Sequence, residues 1–349
     1  MKVLRILIWI VASLVGLFVL FLLFTTIDNY NPLPEESQVI KEEASIVTDS
    51  VVSLVTWNIG YAGLDSSMDF FYDGGKKVRP EKRGVRNNLK GILKRLETFK
   101  GADFILLQEV DIKSKRSYKF NIHEMINQVY DEYHSSFGKN YDVAFVPLPP
   151  TEPMGRVISG IQTLSRPSPE EVSRYSYPGN YSWPMSLFML DRCFLMNRYK
   201  LESGYDLVVI NTHNSAYDDG TLRQQQMNFL KDILMEEYEA GNYVIAGGDW
   251  NQCPPGFRPE FDGENFDTED LSYIDPDYPA SDWQWAYDPG IPTNRRVMIP
   301  YEKGQTPTTV IDFFLISPNI ELLDVHGMDL NFEFTDHQPT FIKVKLRQR

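Results

Sequence analysis

The sequence predicts an α/β (α+β) fold with buried sheets, preceded by one N-terminal transmembrane helix. Three patterns carry that expectation. A long stretch without charge opens the chain, nine short β-branched or apolar runs recur with turn residues between them, and two longer stretches carry apolar residues at helical spacing.

From Ile6 to Ile27 there is no charged residue. At a rise of about 1.5 Å per residue the stretch spans roughly 33 Å, enough for a hydrocarbon core of about 30 Å. Lys2 and Arg5 precede it, whereas Asp28, Glu35 and Glu36 follow. The positive-inside rule therefore leaves the N-terminus cytosolic and exports the remainder to the periplasmic or extracellular side as a single-pass protein. A cleaved signal peptide competes with this reading, but Phe24-Thr25-Thr26-Ile27 offers no A-x-A-like site. The organisation expected is an anchor over residues 1–27, an acidic flexible linker over 28–50 and one large domain over 51–349. The linker carries six acids against Lys41 and shows no helical or strand period.

Within residues 51–349 the strand-like runs are Val51–Trp57, Asp103–Gln108, Tyr141–Val146, Val157–Leu164, Arg192–Met196, Leu207–Ile210, Tyr243–Ala246, Ile311–Ile316 and Phe341–Leu346. Helices are expected over Lys82–Phe99, from Val85, Leu89, Ile92, Leu93 and Leu96, and over Thr221–Tyr238, from Met227, Leu230, Ile233 and Leu234. Residues 60–80 and 252–310 are rich in Gly, Pro, Asp and aromatics and too long for plain connections, which marks them as site-lining loops. Cys193 and Cys253 are too few for a disulfide framework. Burial as small apolar residues is expected, with a single bridge as the alternative.

The formal net charge of −14 argues against broad tracking of a phosphate backbone. Polar residues nevertheless gather at the ends of the strand-like runs: Asn58, Glu109, His213, Asp249 with Asn251, Asp312, and Asp336-His337. Acids, amides and imidazoles are what metal-assisted attack of water on a phosphate requires. Glu109 suits a hard cation, although a lone glutamate ending a strand is ordinarily a solvated charge. Asp249 and Asn251 stand two apart, so an extended backbone would turn both to one pocket; an Asx turn is the plainer role. Asp312 lies inside an apolar run, where a lone carboxylate is costly and a partner is expected. Asn58 before Gly60 reads by itself as a turn, and His213 by itself as a structural histidine.

The order of these motifs over residues 51–346 resembles the endonuclease/exonuclease/phosphatase superfamily, which includes DNase I-like nucleases, inositol polyphosphate phosphatases and neutral sphingomyelinases. The resemblance implies a four-layer α/β/β/α sandwich with a divalent-cation site where strand ends of two sheets meet. It implies Mg²⁺, or Mn²⁺ in its place, held by Glu109 with Asn58 and Asp336. Asp249 then aligns and deprotonates water, with Asn251 serving a phosphate oxygen or steadying Asp249. His337 is oriented by Asp312, and His213 is a second donor to phosphate. Two departures stand out: Gly60 occupies a position where many family nucleases carry an acid, and Thr335 replaces the commoner Ser. Arg192 and Arg295 are candidate phosphate ligands or plain ion-pair partners. Trp283, Trp285 and Tyr287 either stack on a ligand or, the favoured reading, pack a long loop.

The function expected is a membrane-anchored, metal-dependent phosphoesterase cleaving a phosphate mono- or diester, with lipid headgroups or small molecules somewhat favoured. An exported DNA or RNA nuclease and a non-catalytic membrane-anchored binding protein are the alternatives. No protein partner is inferred.

Overall fold

The computed structural model describes residues 2–40, 43–216, 218, 220–259 and 271–347. Part of the second long loop, residues 260–270, lies outside these.

Two sheets stack face to face. The six-stranded sheet contains β3 (Val51–Asn58), β4 (Phe104–Asp111), β5 (His134–Val146), β6 (Gly155–Ser165), β15 (Ile320–Gly327) and β16 (Thr340–Leu346), in the order β15-β16-β3-β4-β6-β5. The other sheet runs β1-β7-β8-β9-β10-β14-β11, built from Glu35–Ser37, Glu171–Ser176, Cys193–Leu201, Asp206–His213, Tyr243–Asp249, Asp312–Ile316 and Gln284–Ala286, with β2 (Ile46–Val47) beside β8, while β12 (Asn294–Arg295) and β13 (Thr308–Thr309) pair separately.

Side-chain alternation along each strand builds the layers. Val52 and Leu54 of β3, Phe104 and Leu106 of β4, Leu207 and Val209 of β9, and Tyr243 and Ile245 of β10 fill the space between the sheets. Their neighbours in sequence face outward. Val55, Ile105 and Leu107 pack under α2 (Lys82–Glu97) and α3 (Ile122–Val129), while Val208, Ile210, Val244 and Ala246 pack under α4 (Thr221–Glu239). Each Val, Leu, Ile or Phe among them, taken fully out of water, contributes about 1.5–3 kcal/mol. The result is the α/β/β/α sandwich.

All nine expected strands and both expected helices are present. Of the other elements, α3 is a single short amphipathic segment capped by Asn121, whose side chain accepts the Glu124 N–H at 3.4 Å. The strand β7 is mostly polar in sequence, and β15 is an edge strand with little burial.

Residues 28–50, expected as a flexible linker, are in part bound to the domain. Glu35–Ser37 pair antiparallel with β7, and Ile46–Val47 pair parallel with β8. Without this cover β7 would present an open row of backbone groups. Glu35 accepts from Tyr175 Oη at 3.0 Å, and Glu36 lies 3.6 Å from Arg174. Two of the six linker acids, Glu35 and Glu36, thus have partners on the domain.

Candidate active site

At one end of the sandwich the inward-facing positions change from apolar to polar. Leu54 gives way to Thr56 and Asn58, Leu106 to Gln108, Val209 to Asn211 and His213, Ile245 to Gly247 and Asp249, and Phe314 to Asp312. Register brings these ends together: Asn58 is opposite Gln108, and Asp249 is opposite both His213 and Asp312. Beneath them Gln108 Nε2 donates to Asn211 Oδ1 at 2.7 Å, tying one sheet to the other. Removing either partner would leave a buried polar group unsatisfied, a cost of about 1–3 kcal/mol.

Glu109 owes its place to a defect in the ladder. Leu107 and Val110 both face the outer helices, and the pairing of β4 with β6 shifts register between them. Strict alternation would send Glu109 outward with Leu107. The bulge, with Glu109 at φ 55°, turns it back toward the polar end. Its carboxyl is pushed up, first by burial and then by repulsion from Asp336, with Arg116 opposing. Arg116 lies 4.0 Å from Glu109, is bidentate on buried Asp111 and sits 3.7 Å over the Tyr61 ring.

Asp249 accepts two hydrogen bonds and has an imidazole beside it. Asn58 Nδ2 reaches its Oδ2 at 2.9 Å, the Asn251 main-chain N–H reaches Oδ1 at 3.0 Å, and His213 Nε2 stands 3.4 Å away. Asn251 does not lie on an extended backbone, as its spacing suggested. Its φ is 51°, the turn is an Asx turn, and its side chain donates to the Asn214 carbonyl at 2.9 Å. Gly248 makes this corner possible, because a Cβ there would lie 2.0 Å from the Thr212 carbonyl oxygen.

His337 Nδ1 is 2.7 Å from Asp312 Oδ2, supplying the partner that a buried carboxylate requires. Its Nε2 faces Asp249 at 3.9 Å, Asp336 at 4.0 Å and the Asn294 amide at 3.0 Å. Burial works against an imidazolium here, but Asp312, Asp336 and Asp249 outweigh it and hold His337 well above the ordinary histidine range. His213 moves the other way. Burial, then the positive charges of Arg192, His337 and Arg116, push it well below that range, so it is neutral with a single N–H to offer.

The chain's segment 55–337 matches the family model described as Endonuclease/Exonuclease/phosphatase family. The chain belongs to that family. Members of the endonuclease/exonuclease/phosphatase family are metal-dependent hydrolases of phosphate esters, and this protein is an enzyme of that class. Solved structures share its fold at low identity. An endonuclease/exonuclease/phosphatase protein from Beutenbergia cavernae aligns with a TM-score of 0.57 at 19% identity, covering 85% of this chain and 72% of its own. ANGEL2, a 2′,3′-cyclic phosphatase in complex with adenosine-2′,3′-vanadate, aligns at 0.55 and 16%, covering 89% and 100%. TDP2 from D. rerio, complexed with a single-strand DNA product, aligns at 0.52 and 12%, covering 85% and 100%. No curated protein sequence matches the chain.

The family's dependence on a divalent cation finds a suitable donor set. Glu109 and Asp336 bring two carboxyls into a desolvated pocket, each pushed up by burial, so a hard cation would relieve both. Asn58 Oδ1 accepts the Gly60 N–H at 3.0 Å and keeps one lone pair. A second group, Asp249, Asp312 and His337, places ligand atoms within 4.8 Å of one another. There, His337 Nδ1 and Asp312 Oδ2 already engage each other, which marks a carboxylate–imidazole pair.

Both departures from the family pattern have a geometric account. A Cβ at Gly60, which has φ 48°, would sit 2.6 Å from Thr335 Oγ1 and 2.9 Å from Asp336 Oδ1, leaving no room for an acid. Thr335 keeps the hydroxyl, which donates to the Asn58 carbonyl at 3.3 Å. Arg295 is not a phosphate ligand: it is buried and donates to the carbonyls of Arg296, Ile299 and Asp65. Arg192 is near enough to act on Glu109 and His213. Trp283 and Trp285 pack the loop against Tyr238, Trp250 and Phe313. Cys193 and Cys253 are free and buried. Three site residues escaped the sequence reading: Arg116, Asn294 and Asn214. The spacing of Arg116 from Asp111, just past a strand end, was the available signal.

Proposed function

We propose that the protein is a membrane-anchored phosphoesterase that hydrolyses a phosphate mono- or diester by attack of water, using Mg²⁺ or Mn²⁺. The observation supporting this most strongly is the convergence of Asp249, His213 and the His337–Asp312 pair beside Glu109. Asp249, fixed by Asn58 and the Asn251 main chain, aligns the water and takes its proton as the new P–O bond forms and the ester P–O bond breaks, the leaving oxygen keeping the electron pair and taking a proton from solvent. His337, kept protonated, stabilises charge growing on the phosphoryl oxygens, and Asp312 holds its ring in place. His213 offers its one N–H to the same oxygens. When bound by Glu109 with Asp336 and Asn58, a divalent cation supplies charge neutralisation at phosphate and leaving group.

The apolar helix α1 (Lys2–Ile27) supports a membrane span with the N-terminus cytosolic and the catalytic domain exported. Protease added to intact cells then digests the domain, whereas protection until lysis places it in the cytosol. The acidic chain and its anchor favour a lipid headgroup or small phosphoester over a polymer. A nuclease is the second reading, and the TDP2 structure with its DNA product is what favours it. Assaying the full chain with Mg²⁺ on sphingomyelin, phosphoinositides, nucleotides, single- and double-stranded DNA and RNA tests the proposal. Preferential cleavage of a lipid or small phosphoester is expected. Preferential cleavage of nucleic acid overturns the substrate preference, and inertness on the whole panel leaves a binding protein.

A further inference from the structure

Most of α1 is exposed along its length, but its last turns are not free of the domain. Phe21 stacks on Phe188 at 5.9 Å and meets Phe145 edge-on at 6.2 Å. Thr25 is buried, and Trp183 Nε1 donates to Thr26 Oγ1 at 3.3 Å. Asp28, the first charge after the apolar run, lies 3.5 Å from Arg156.

These contacts fix a depth. Phe21 stands six residues before Ile27, the last residue of the run, which is about 9 Å along a helix axis. A run of roughly 33 Å exceeds a hydrocarbon core of about 30 Å by very little. Whatever packs on Phe21 therefore lies at or below the headgroup layer. The segments doing so carry an exposed apolar rim: Leu148 is 49% exposed, Trp183 60% and Met185 54%. A tryptophan with its ring outward beside aliphatic side chains suits the lipid–water boundary, whereas in water it is a liability.

We propose that the rim of Leu148, Trp183 and Met185 around the last turns of α1 is a bilayer-docking surface that seats the catalytic domain in the headgroup layer. The proposal rests on reading α1 as a membrane span and goes beyond it, because a span on a loose tether would let the domain stand off. It also sets the site close to lipid. Tyr141 Oη donates to the Phe188 carbonyl at 2.9 Å, the Tyr141 ring lies 5.7 Å from the Arg116 guanidinium, and Arg116 reaches Glu109 at 4.0 Å. Tyr72, on the first site-lining loop, donates to the Leu148 carbonyl at 2.8 Å.

The test uses the full chain in phosphatidylcholine nanodiscs. Leu148→Cys and Met185→Cys each receive an environment-sensitive fluorophore, the native cysteines being buried. Leu323→Cys, on β15 at the sheet edge opposite β5, is the aqueous control. Probes at 148 and 185 are expected to shift blue and to be quenched by shallow spin-labelled lipid about threefold more than the probe at 323, as for a surface dipping 5–10 Å into the boundary. Alkaline carbonate extraction separates the two possible failures. Release of the chain overturns the span and the docking together. Retention of the chain with probes at 148 and 185 as aqueous as that at 323 overturns the docking alone.

Discussion

Asp312→Asn separates the charge on the His337 partner from its shape. Of the three carboxylates around the His337 ring, Asp312 is the nearest, with Oδ2 2.7 Å from Nδ1, while Asp249 and Asp336 stand 3.9 and 4.0 Å from Nε2. Asparagine keeps an acceptor oxygen and the side-chain volume but converts a charge-assisted hydrogen bond into a neutral one. Losing an electrostatic group of this kind costs about 10² to 10³ in kcat, or roughly 2.7–4 kcal/mol of barrier. The sign with pH follows from the raised His337 pKa. The protonated ring is present below its folded pKa and is lost as pH rises through it. Removing Asp312 lowers that pKa, although two carboxylates remain. The alkaline limb of kcat therefore moves to lower pH, and the deficit is smallest in mild acid and largest in mild alkali. Measuring kcat and KM across this range at saturating Mg²⁺ reads the effect directly. A loss equal at every pH, or an alkaline limb that does not move, would falsify the role given to the pair.

Chelation with verified metal removal should abolish turnover, and Mg²⁺ or Mn²⁺ should restore it; full activity in excess chelator refutes the donor set. His337→Ala and Asp249→Asn should each lower kcat by about 10² to 10⁴ with KM within several-fold, and near-wild-type kcat in either removes that residue from the mechanism. Gly60→Ala combines a positive φ with a 2.6 Å approach to Thr335 Oγ1, so urea unfolding should show a loss of about 1–3 kcal/mol. An unchanged midpoint would mean that the 335–336 turn yields freely. Burial first of all pushes Asp191 from 3.8 to about 6, against Arg174 and Asn180, so the folded state holds this proton more tightly than the unfolded chain. Stability is thus lost as pH rises through that window, and Asp191→Asn should raise the melting temperature at pH 7.5, by an equivalent of about 1–2 kcal/mol after solvent screening, but not at pH 3.5. An equal gain at both pH values would point to packing instead.

The parts of the fold legible in the sequence are those where burial on both faces leaves a dense apolar run. In β9 and β10, Leu207–Ile210 and Tyr243–Ala246 are buried between the sheets on one side and under α4 on the other, so they stand out without any alternation. The segment Glu171–Ser176 reads Glu-Val-Ser-Arg-Tyr-Ser, and its hydrogen-bonding neighbours, not its own side chains, make it a strand. Residues 35–37 and 46–47 are legible still less. Segments of two or three residues carry no period, and their pairing depends on the strands they meet.

The candidate site was legible to the extent that strand periodicity reaches the strand ends. Asn58, His213 and Asp249 fall on the inward face by simple alternation from Leu54, Val209 and Ile245, and register does the rest. Glu109 is the instructive exception. Counted by twos from Leu107 it belongs under α2 and α3, where an ionised carboxylate has no partner. A bulge that no sequence period announces turns it toward Asp336 and Arg116 instead. The same bulge explains why Arg116 went unread: its value lies in a guanidinium held beside Glu109 by Asp111 and Tyr61, a contact set by backbone geometry across the loop. Two acids, Glu109 and Asp111, share one buried arginine, and Arg116 is committed to Asp111 at 2.9 Å while Glu109 waits at 4.0 Å. That imbalance leaves Glu109 short of a counter-charge, the condition under which a strand-end carboxylate becomes a ligand for a hard cation.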